Sequence, residues 1–193
     1  EGAFLDLLHS HNPLLSLASV EPDQVTATRR DQLSWLVQFD HLDEVIKHSL
    51  EFDVICLFHV FEHIAEPSLF LEKIRACLIA DGRVIIEVPS LMDPLLKLYG
   101  CEAYARFYFQ AQHPYIYGPT ALSRVLEQNR FKVVDTIAHQ RYGIANHLNW
   151  LVNEQPGGSS KLREIFRNMD DSYRYCIEKS GISDSFFMVA KPS

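Results

Sequence analysis

The 193-residue sequence predicts an α/β fold with a mostly parallel sheet, because an amphipathic segment lies between two short apolar ones. Residues 54–58 (VICLF) and 84–88 (VIIEV) have the length and composition of strands that are buried on both faces. Between them, apolar residues recur every three or four positions, which predicts a helix that begins near Pro67 and ends at Asp81-Gly82. Such a strand, helix and strand form a right-handed parallel crossover.

A polar cluster follows the first of these strands. His59, Glu62 and His63 come just past its carboxyl end, where open α/β sheets place their ligand crevice. This position predicts a functional site at that edge of the sheet.

Residues 53–55 (DVI), 59–63 (HVFEH) and 87–89 (EVP), together with Pro67, form one ordered pattern across residues 52–90. The pattern resembles the middle of a class I S-adenosylmethionine (SAM) dependent methyltransferase. The resemblance implies a Rossmann-like fold with a mostly parallel seven-stranded sheet whose last strand is antiparallel. It also implies that SAM is the cofactor, bound across the carboxyl ends of the strands.

The first residues resemble the turn and helix that follow the first strand of this family. Apolar residues at positions 4, 5, 7 and 8 predict the helix, and Gly2 would be the last glycine of a GxGxG turn. Glycines in such a turn let the backbone approach the cofactor closely. We therefore expect the first strand and most of the glycine-rich loop to be missing from this chain.

The next predicted strand, residues 17–23, carries a candidate for the SAM ribose. Glu21 lies at the distance from Gly2 at which nucleotide-binding folds place a carboxylate against ribose hydroxyls. Two carboxylate oxygens suit a vicinal diol, and the resemblance assigns Glu21 to this role. The alternative is that Glu21-Pro22-Asp23 forms only the N-terminal turn of a polar helix predicted over residues 26–33.

The predicted strand over residues 35–40 carries a second candidate, and a short helix or irregular link is expected over residues 43–48. The resemblance places Asp40 against the adenine amino group, although Asp40 could equally be a solvated turn residue. In full, the residues that the resemblance assigns to SAM are Gly2, Glu21, Pro22, Asp40, Phe58 and His59.

The cluster at residues 59–63 leaves two interpretations open. The spacing of His59, Glu62 and His63 could bring all three side chains to one face of a helical turn. Some members of the family hold a divalent cation with a related ExxEH cluster, but this sequence has His at the first position. Many metal-free members carry a similar loop in which the Glu and His stabilise the backbone, so we predict no metal. Glu87 could be a structural partner or part of the crevice wall.

Residues 90–119 are predicted to form an insertion on the acceptor side of the site. The insertion is crowded with aromatic residues, and loops after the later strands are where a shared scaffold builds its acceptor pocket. Tyr108, Tyr115 and Tyr117 are the predicted acceptor contacts. The alternative is an aromatic lid that packs on the core without contacting the substrate.

His113 is the predicted catalytic base. It precedes a Tyr-rich segment, as does the histidine that acts as base in the sugar-modifying methyltransferases that this stretch resembles. Imidazole titrates near neutral pH, so it can take a proton from the acceptor during methyl transfer. His59 is the second candidate for this role.

Residues 139–180 are predicted to form a second acceptor-side insertion. Arg141 could pair with a phosphate or carboxylate, and Asn146 or His147 could bond hydroxyl groups. Ordinary surface packing is the alternative for the same residues. The segment is expected to end in a charged helix over residues 161–179.

Two further strands, residues 131–137 and 185–190, resemble the antiparallel pair at one edge of the family's sheet, and a helix is predicted over residues 120–128. At this length the chain is expected to form a single methyltransferase domain over residues 1–193.

The charge, cysteine spacing and apolar content of the chain argue against some classes of partner. The net charge of −7 argues against a broad nucleic-acid interface, which needs clustered Lys and Arg. The cysteines lack zinc-finger or CxxC spacing, and no apolar run approaches the roughly 20 residues that span a bilayer. We therefore expect a cytoplasmic protein without nucleic-acid or membrane partners; the oligomeric state is left open.

The predicted function is SAM-dependent methyl transfer to a hydroxyl or carbon of a sugar or nucleotide-sugar. Residues 87–118 and 140–151 resemble methyltransferases of surface-polysaccharide biosynthesis. The main alternative is a binding or scaffolding module that kept the fold and lost the cofactor loop. A dehydrogenase is a third possibility, which the HVFEH loop fits poorly.

Overall fold

The computed structural model describes residues 2–23, 33–109 and 113–193. The chain divides into two compact units, an N-terminal unit (Glu1–Glu51) and a C-terminal unit (Phe52–Ser193). The helix predicted over residues 26–33 falls, except for Leu33, outside the described residues. The single domain over residues 1–193 stays a prediction.

The N-terminal unit contains a short parallel sheet. Strands β1 (Leu17–Val20) and β2 (Leu36–Phe39) pair in parallel, with Leu17 opposite Leu36 and Val20 opposite Phe39. The strand predictions at both places are confirmed, with shorter bounds. The helices of this unit are α1 (Ala3–His11) and α2 (Leu42–Lys47).

The C-terminal unit holds a four-stranded mixed sheet. Its strands are β3 (Phe52–Phe58), β4 (Leu78–Pro89), β5 (Phe131–His139) and β6 (Ser185–Pro192). A 3₁₀ turn (Phe61–His63) follows β3. The helices are α3 (Pro67–Ala76), α4 (Pro94–Lys97), α5 (Glu102–Tyr108), α6 (Pro119–Gln128), α7 (Ile144–Asn153) and α8 (Ser160–Lys179). Among the helices of the described ranges, none is long and apolar enough to cross a membrane.

The strand order in this sheet is β3-β4-β6-β5. β3 and β4 are parallel, and β6 runs antiparallel to both β4 and β5, which confirms the antiparallel last strand. The predicted seven-stranded sheet is wrong for the described residues, where the strands form one four-stranded and one two-stranded sheet. The reason is that a sheet extends only through hydrogen-bonded ladders, and β1 and β2 pair only with each other there.

The crossover between β3 and β4 differs from the prediction at its second half. Helix α3 ends at Ala76 rather than at Asp81-Gly82, and β4 begins at Leu78. The cause is pairing with the start of β3, because the Phe52 N–H donates to Cys77 O over 2.8 Å and Phe52 lies opposite Leu78. Glycine is favoured at position 82, where a Cβ would lie 3.0 Å from the backbone oxygens of Phe52 and Ile79, closer than most real Cβ contacts.

The two strands that were predicted to be buried on both faces differ in how far they are buried. In β4, Val84, Ile86 and Val88 share one face and are fully buried, and on the other face Glu87 is buried and Ile85 partly buried. In β3 the expectation is wrong, since Val54 is 48% exposed. The reason is that β3 pairs only with β4 among the described strands and therefore lies at the edge of its sheet.

Helix α6 covers one face of the sheet and supplies a core residue that can be tested. Leu126 is fully buried there, whereas Gln128 on the same helix is exposed. We expect Leu126→Ala to lower the free energy of unfolding by about 2–5 kcal/mol, because the lost methyl groups leave a cavity. Gln128→Ala should change it by no more than about 0.5 kcal/mol. Urea denaturation measures both, and equal effects of the two substitutions would contradict this packing.

Candidate functional site

A cavity of about 310 Å³ opens in the C-terminal unit, where β3 and β4 end. One part of its wall is polar and carries imidazole, carboxylate, guanidinium and amide groups. The polar lining residues are His59, Glu62, His63, His113, Arg141, Asn146 and Asp184. The remaining lining residues are Pro89, Tyr104, Phe107, Tyr108, Tyr142, Trp150 and Pro156.

His59 is held between two carboxylates. It follows β3 with a φ of 52°, a left-handed conformation that is uncommon outside glycine, and its N–H donates to Glu87 O over 2.9 Å. Its Nδ1 lies 3.4 Å from Glu62 Oε1, and its Nε2 lies 3.2 Å from Glu87 Oε1. Arg141 Nη1 also approaches Nε2, at 2.8 Å. Both ring nitrogens are therefore engaged by neighbouring side chains.

These contacts shift the pKa values of the pair. The hydrogen bonds to Glu62 and Glu87 raise the pKa of His59 to about 9, against the opposing effects of burial and of the Arg141 charge. Burial acts to raise the pKa of Glu87, but the hydrogen bond and charge of His59 outweigh it, so the net shift is downward. Of the two interpretations of Glu87, the structure shows the partner role.

Asp184 fixes the segment that carries Arg141. The buried Asp184 carboxylate accepts hydrogen bonds from the backbone N–H groups of Arg141 (3.0 Å) and Tyr142 (2.9 Å), and from Gln140 Nε2 (2.9 Å). Burial raises the pKa of Asp184, while these backbone hydrogen bonds oppose the shift. The sequence analysis missed this residue; the available signal was an acid placed directly before the buried strand β6.

Helices α5 and α7 provide the aromatic wall. The Trp150 ring lies edge-on to Tyr104 at 5.0 Å and next to Phe107 at 5.2 Å, between ring centroids. Tyr104 OH donates to Asp93 Oδ2 and Tyr108 OH donates to Ser90 O, each over 2.8 Å. Burial raises the pKa values of both tyrosines, so they remain neutral hydrogen-bond donors. The wall is therefore fixed by its own hydrogen bonds.

Asp93 connects this wall to the start of α4. Besides the Tyr104 hydroxyl, its carboxylate accepts a 2.7 Å hydrogen bond from the Leu95 N–H and so caps the helix. Burial raises the pKa of Asp93 to about 6, against these hydrogen bonds.

Some predicted acceptor contacts line the cavity and others do not. Tyr108, Arg141 and Asn146 line it, as do His59 and His113. Tyr115 is 40% exposed and its hydroxyl donates to Ala65 O over 3.2 Å, outside the cavity lining. Tyr117 is buried against Phe61, with ring centroids 5.5 Å apart.

His147 also lies outside the cavity lining. It is buried in α7, where its ring contacts the Tyr173 hydroxyl through Nδ1 and Gln140 Nε2 at 3.4 Å through Nε2. Burial lowers the pKa of His147 to about 4, so the ring is neutral at physiological pH.

The residues assigned to SAM fall in both units. In the N-terminal unit, Glu21 follows β1 and Asp40 follows β2, so both lie at the carboxyl edge of the two-stranded parallel sheet. Glu21 Oε1 accepts from the Asp23 N–H over 3.1 Å, and the Asp40 N–H donates to Glu44 Oε2 over 3.1 Å. Gly2, before α1, has a φ of 90°, which is the left-handed conformation that a glycine turn requires.

The other residues assigned to SAM are placed as follows. Pro22 is exposed, directly after Glu21. Phe58 is the last residue of β3 in the C-terminal unit, and its ring meets Phe187 edge-on at 6.1 Å.

A family model described as a methyltransferase domain matches residues 1–136, which is more than half of the chain. The chain belongs to this methyltransferase family. No curated protein matches the chain significantly.

Solved methyltransferase structures have the same fold. A SAM-dependent methyltransferase from Archaeoglobus fulgidus is 18% identical with a TM-score of 0.60, and the match covers 98% of this chain and 81% of that protein. The plantazolicin methyltransferase BpumL, in complex with a triazolic desmethylPZN analog and SAH, is 14% identical with a TM-score of 0.60; 100% of this chain and 73% of BpumL are covered. The mitomycin 7-O-methyltransferase MmcR is 10% identical with a TM-score of 0.57, over 100% of this chain and 46% of MmcR.

The buried His147 makes the free energy of unfolding depend on pH, and substituting this one residue tests the effect. Its folded-state pKa of about 4 lies below the ordinary 6.5, so the unfolded chain binds the proton more readily. The contribution of the neutral His147 to the free energy of unfolding is therefore fully present above pH 6.5. It is lost as the pH falls towards 4, by up to about 3 kcal/mol. His147→Gln removes this titration, so the free energy of unfolding of the parent should fall more steeply than that of the variant. If urea denaturation shows the same pH dependence of the free energy of unfolding for the parent and for His147→Gln, the neutral buried state of His147 is contradicted.

Proposed function

We propose that the protein transfers a methyl group from SAM to a hydroxyl or carbon of a sugar-like small molecule. The observation that carries the proposal is the cavity at the strand ends, which combines an aromatic wall with fixed polar groups. SAM as the cofactor is supported by the match to the methyltransferase domain family and by the SAH-bound structure among its relatives. The proposal includes a role in surface-polysaccharide biosynthesis, which rests on the sequence resemblance described above, and a cytoplasmic location, which rests on the composition of the chain.

The N-terminal unit offers groups that fit the cofactor. Gly2 has the backbone conformation of a close-approach turn, and the carboxylates of Glu21 and Asp40 follow neighbouring parallel strands. This edge is where nucleotide-binding α/β folds hold their ligands, and carboxylate oxygens suit ribose hydroxyls and an adenine amino group. When bound, SAM supplies an activated methyl group on a sulfonium, which is a good leaving group.

The C-terminal unit offers groups that fit a sugar-like acceptor. Phe107 is 50% exposed and, with the largely buried Trp150 beside it, gives the cavity an apolar wall that suits one face of a ring. Asn146 can both donate and accept hydrogen bonds to hydroxyl groups, and Arg141 can pair with a phosphate or carboxylate. A nucleotide-sugar carries both kinds of group, which supports it as the acceptor class.

His113 is the proposed base. It lines the cavity, whereas both ring nitrogens of His59 are engaged by Glu62, Glu87 and Arg141. As the acceptor atom bonds the methyl carbon, the carbon–sulfur electron pair leaves with sulfur and His113 takes the acceptor proton. His59, as the second candidate, then has a positioning role.

The proposal is tested by incubating the native protein with SAM carrying a labelled methyl group and a panel of sugars and nucleotide-sugars. Phenolic compounds belong in the panel, because an aromatic wall also suits aromatic acceptors. We expect label in at least one sugar or nucleotide-sugar. Transfer only to phenols would overturn the acceptor class, and an absence of both transfer and SAM binding would favour the scaffolding alternative.

His113→Ala tests the base. We expect it to lower the turnover number by about 10²- to 10⁴-fold, because proton transfer is lost, while the Kd for SAM stays within about twofold. The matched control is His139→Ala, which removes a histidine that does not line the cavity. Equal turnover of the His113 variant and the parent would contradict the assignment.

A further inference from the structure

Three potential ligand atoms meet at one side of the cavity. The donor atoms of Glu62, His63 and His113 all lie within 4.8 Å of one another. The Glu62 side chain is buried, His63 is exposed and His113 is partly buried. We propose that these three residues bind one divalent cation of the zinc, iron or cobalt type, which departs from the metal-free expectation.

The state of Glu62 points independently to a ligand. Its side chain is only 2% exposed, and its Oε2 has no hydrogen-bond partner among the residues that the structure describes. A buried carboxylate oxygen without a partner costs free energy, and native structures normally satisfy such atoms. A cation held also by His63 and His113 gives this oxygen its missing partner.

The geometry suits a compact site. Glu62 and His63 are neighbours in the 3₁₀ turn after β3, and the His63 and His113 ring centroids are 4.8 Å apart. Zinc binds imidazole nitrogen and carboxylate oxygen at about 2.0–2.2 Å, so its ligand atoms lie roughly 3–4 Å apart. The ligand atoms of the three residues are close to that spacing, since all lie within 4.8 Å of one another and all three side chains line the cavity.

The donor set selects the class of cation. Two imidazoles and one carboxylate suit zinc, iron or cobalt, whereas magnesium, calcium and manganese prefer sites made of oxygen atoms. The other oxygen of Glu62 lies 3.4 Å from His59 Nδ1, and His59 in turn contacts Glu87. Residues that orient a ligating carboxylate in this way are the usual second layer of a metal site. In this proposal, the contacts of His59 with Glu62 and Glu87 hold the ligating Glu62 carboxylate in place.

Three protein ligands leave coordination positions open towards the cavity. A cation there lowers the pKa of an oxygen that contacts it, which suits a hydroxyl acceptor; this catalytic role rests on the proposed function. A histidine that holds the cation cannot also accept the acceptor proton, so a catalytic role of the cation would replace the base role proposed above for His113. The base role and the ligand role of His113 predict different effects of substituting His63. Removing His63 should lower turnover only if the cation takes part in catalysis.

The binding test uses native, chelator-treated protein without a polyhistidine tag. Co²⁺ is titrated in and followed by its visible absorption and by calorimetry. We expect one Co²⁺ per chain, bound at least about tenfold more weakly by Glu62→Gln, His63→Ala and His113→Ala. His48→Ala is the control, because it removes an exposed histidine of the N-terminal unit that is outside the cluster.

Each outcome decides the proposal. Glu62→Gln keeps the size of the buried side chain, and circular dichroism of each variant verifies folding. Because His63 is exposed, its substitution tests the site even if the Glu62 variant unfolds. No Co²⁺ binding by the parent, or unchanged binding by the His63 and His113 variants, overturns the cation site.

The outcome is separable from that of the proposed function. Methyl transfer without Co²⁺ binding overturns only the cation site, whereas stoichiometric Co²⁺ binding without SAM binding overturns only the methyltransferase proposal. For the catalytic role, we expect His63→Ala to lower turnover as strongly as His113→Ala. Parent-like turnover of the His63 variant overturns that role.

Discussion

The clamp of His59 between Glu62 and Glu87 is the interaction on which the site depends. The His59 N–H bonds the Glu87 carbonyl and its ring bridges the two carboxylates, so backbone and side chain join the ends of β3 and β4. Arg141 places a second cation next to His59 and near Glu87. Each of these charges is partly removed from water, and their mutual contacts compensate for the lost hydration.

The sheet topology brings these groups together. β3, β4 and β5 end at one edge, and the antiparallel β6 begins there, with Ser185 opposite both Pro89 and His139. Asp184, just before β6, can therefore bond the backbone just after β5, and Ser185 can bond Glu87. The antiparallel last strand thus supplies residues to an edge where purely parallel strands would supply only their carboxyl ends.

Local patterns predicted much of this arrangement. The strand positions, the polar cluster after β3 and the cavity positions of His113, Arg141 and Asn146 all follow from the order of apolar and polar residues, or from the family resemblance that this order carries. These features depend on short stretches of sequence or on their known places in a fold.

The features that the sequence did not predict depend on contacts between residues that are far apart in the chain. Helix α3 ends early because Phe52 pairs with Leu78, and Asp184 becomes important only through contacts with the distant Gln140 segment. His147 is polar and was predicted to face the acceptor, but it lies buried against Tyr173, because helix periodicity does not show which neighbour a polar residue meets. Glu62 likewise needed a folded structure to show that its Oε2 has no hydrogen-bond partner among the described residues.

The most direct test of the methyltransferase account is a calorimetric titration of SAM, with S-adenosylhomocysteine in parallel, into the native protein. The account predicts that both compounds bind at one site per chain with dissociation constants of roughly micromolar order, because product and cofactor share the adenosine contacts. No binding of either compound by the folded protein would contradict it.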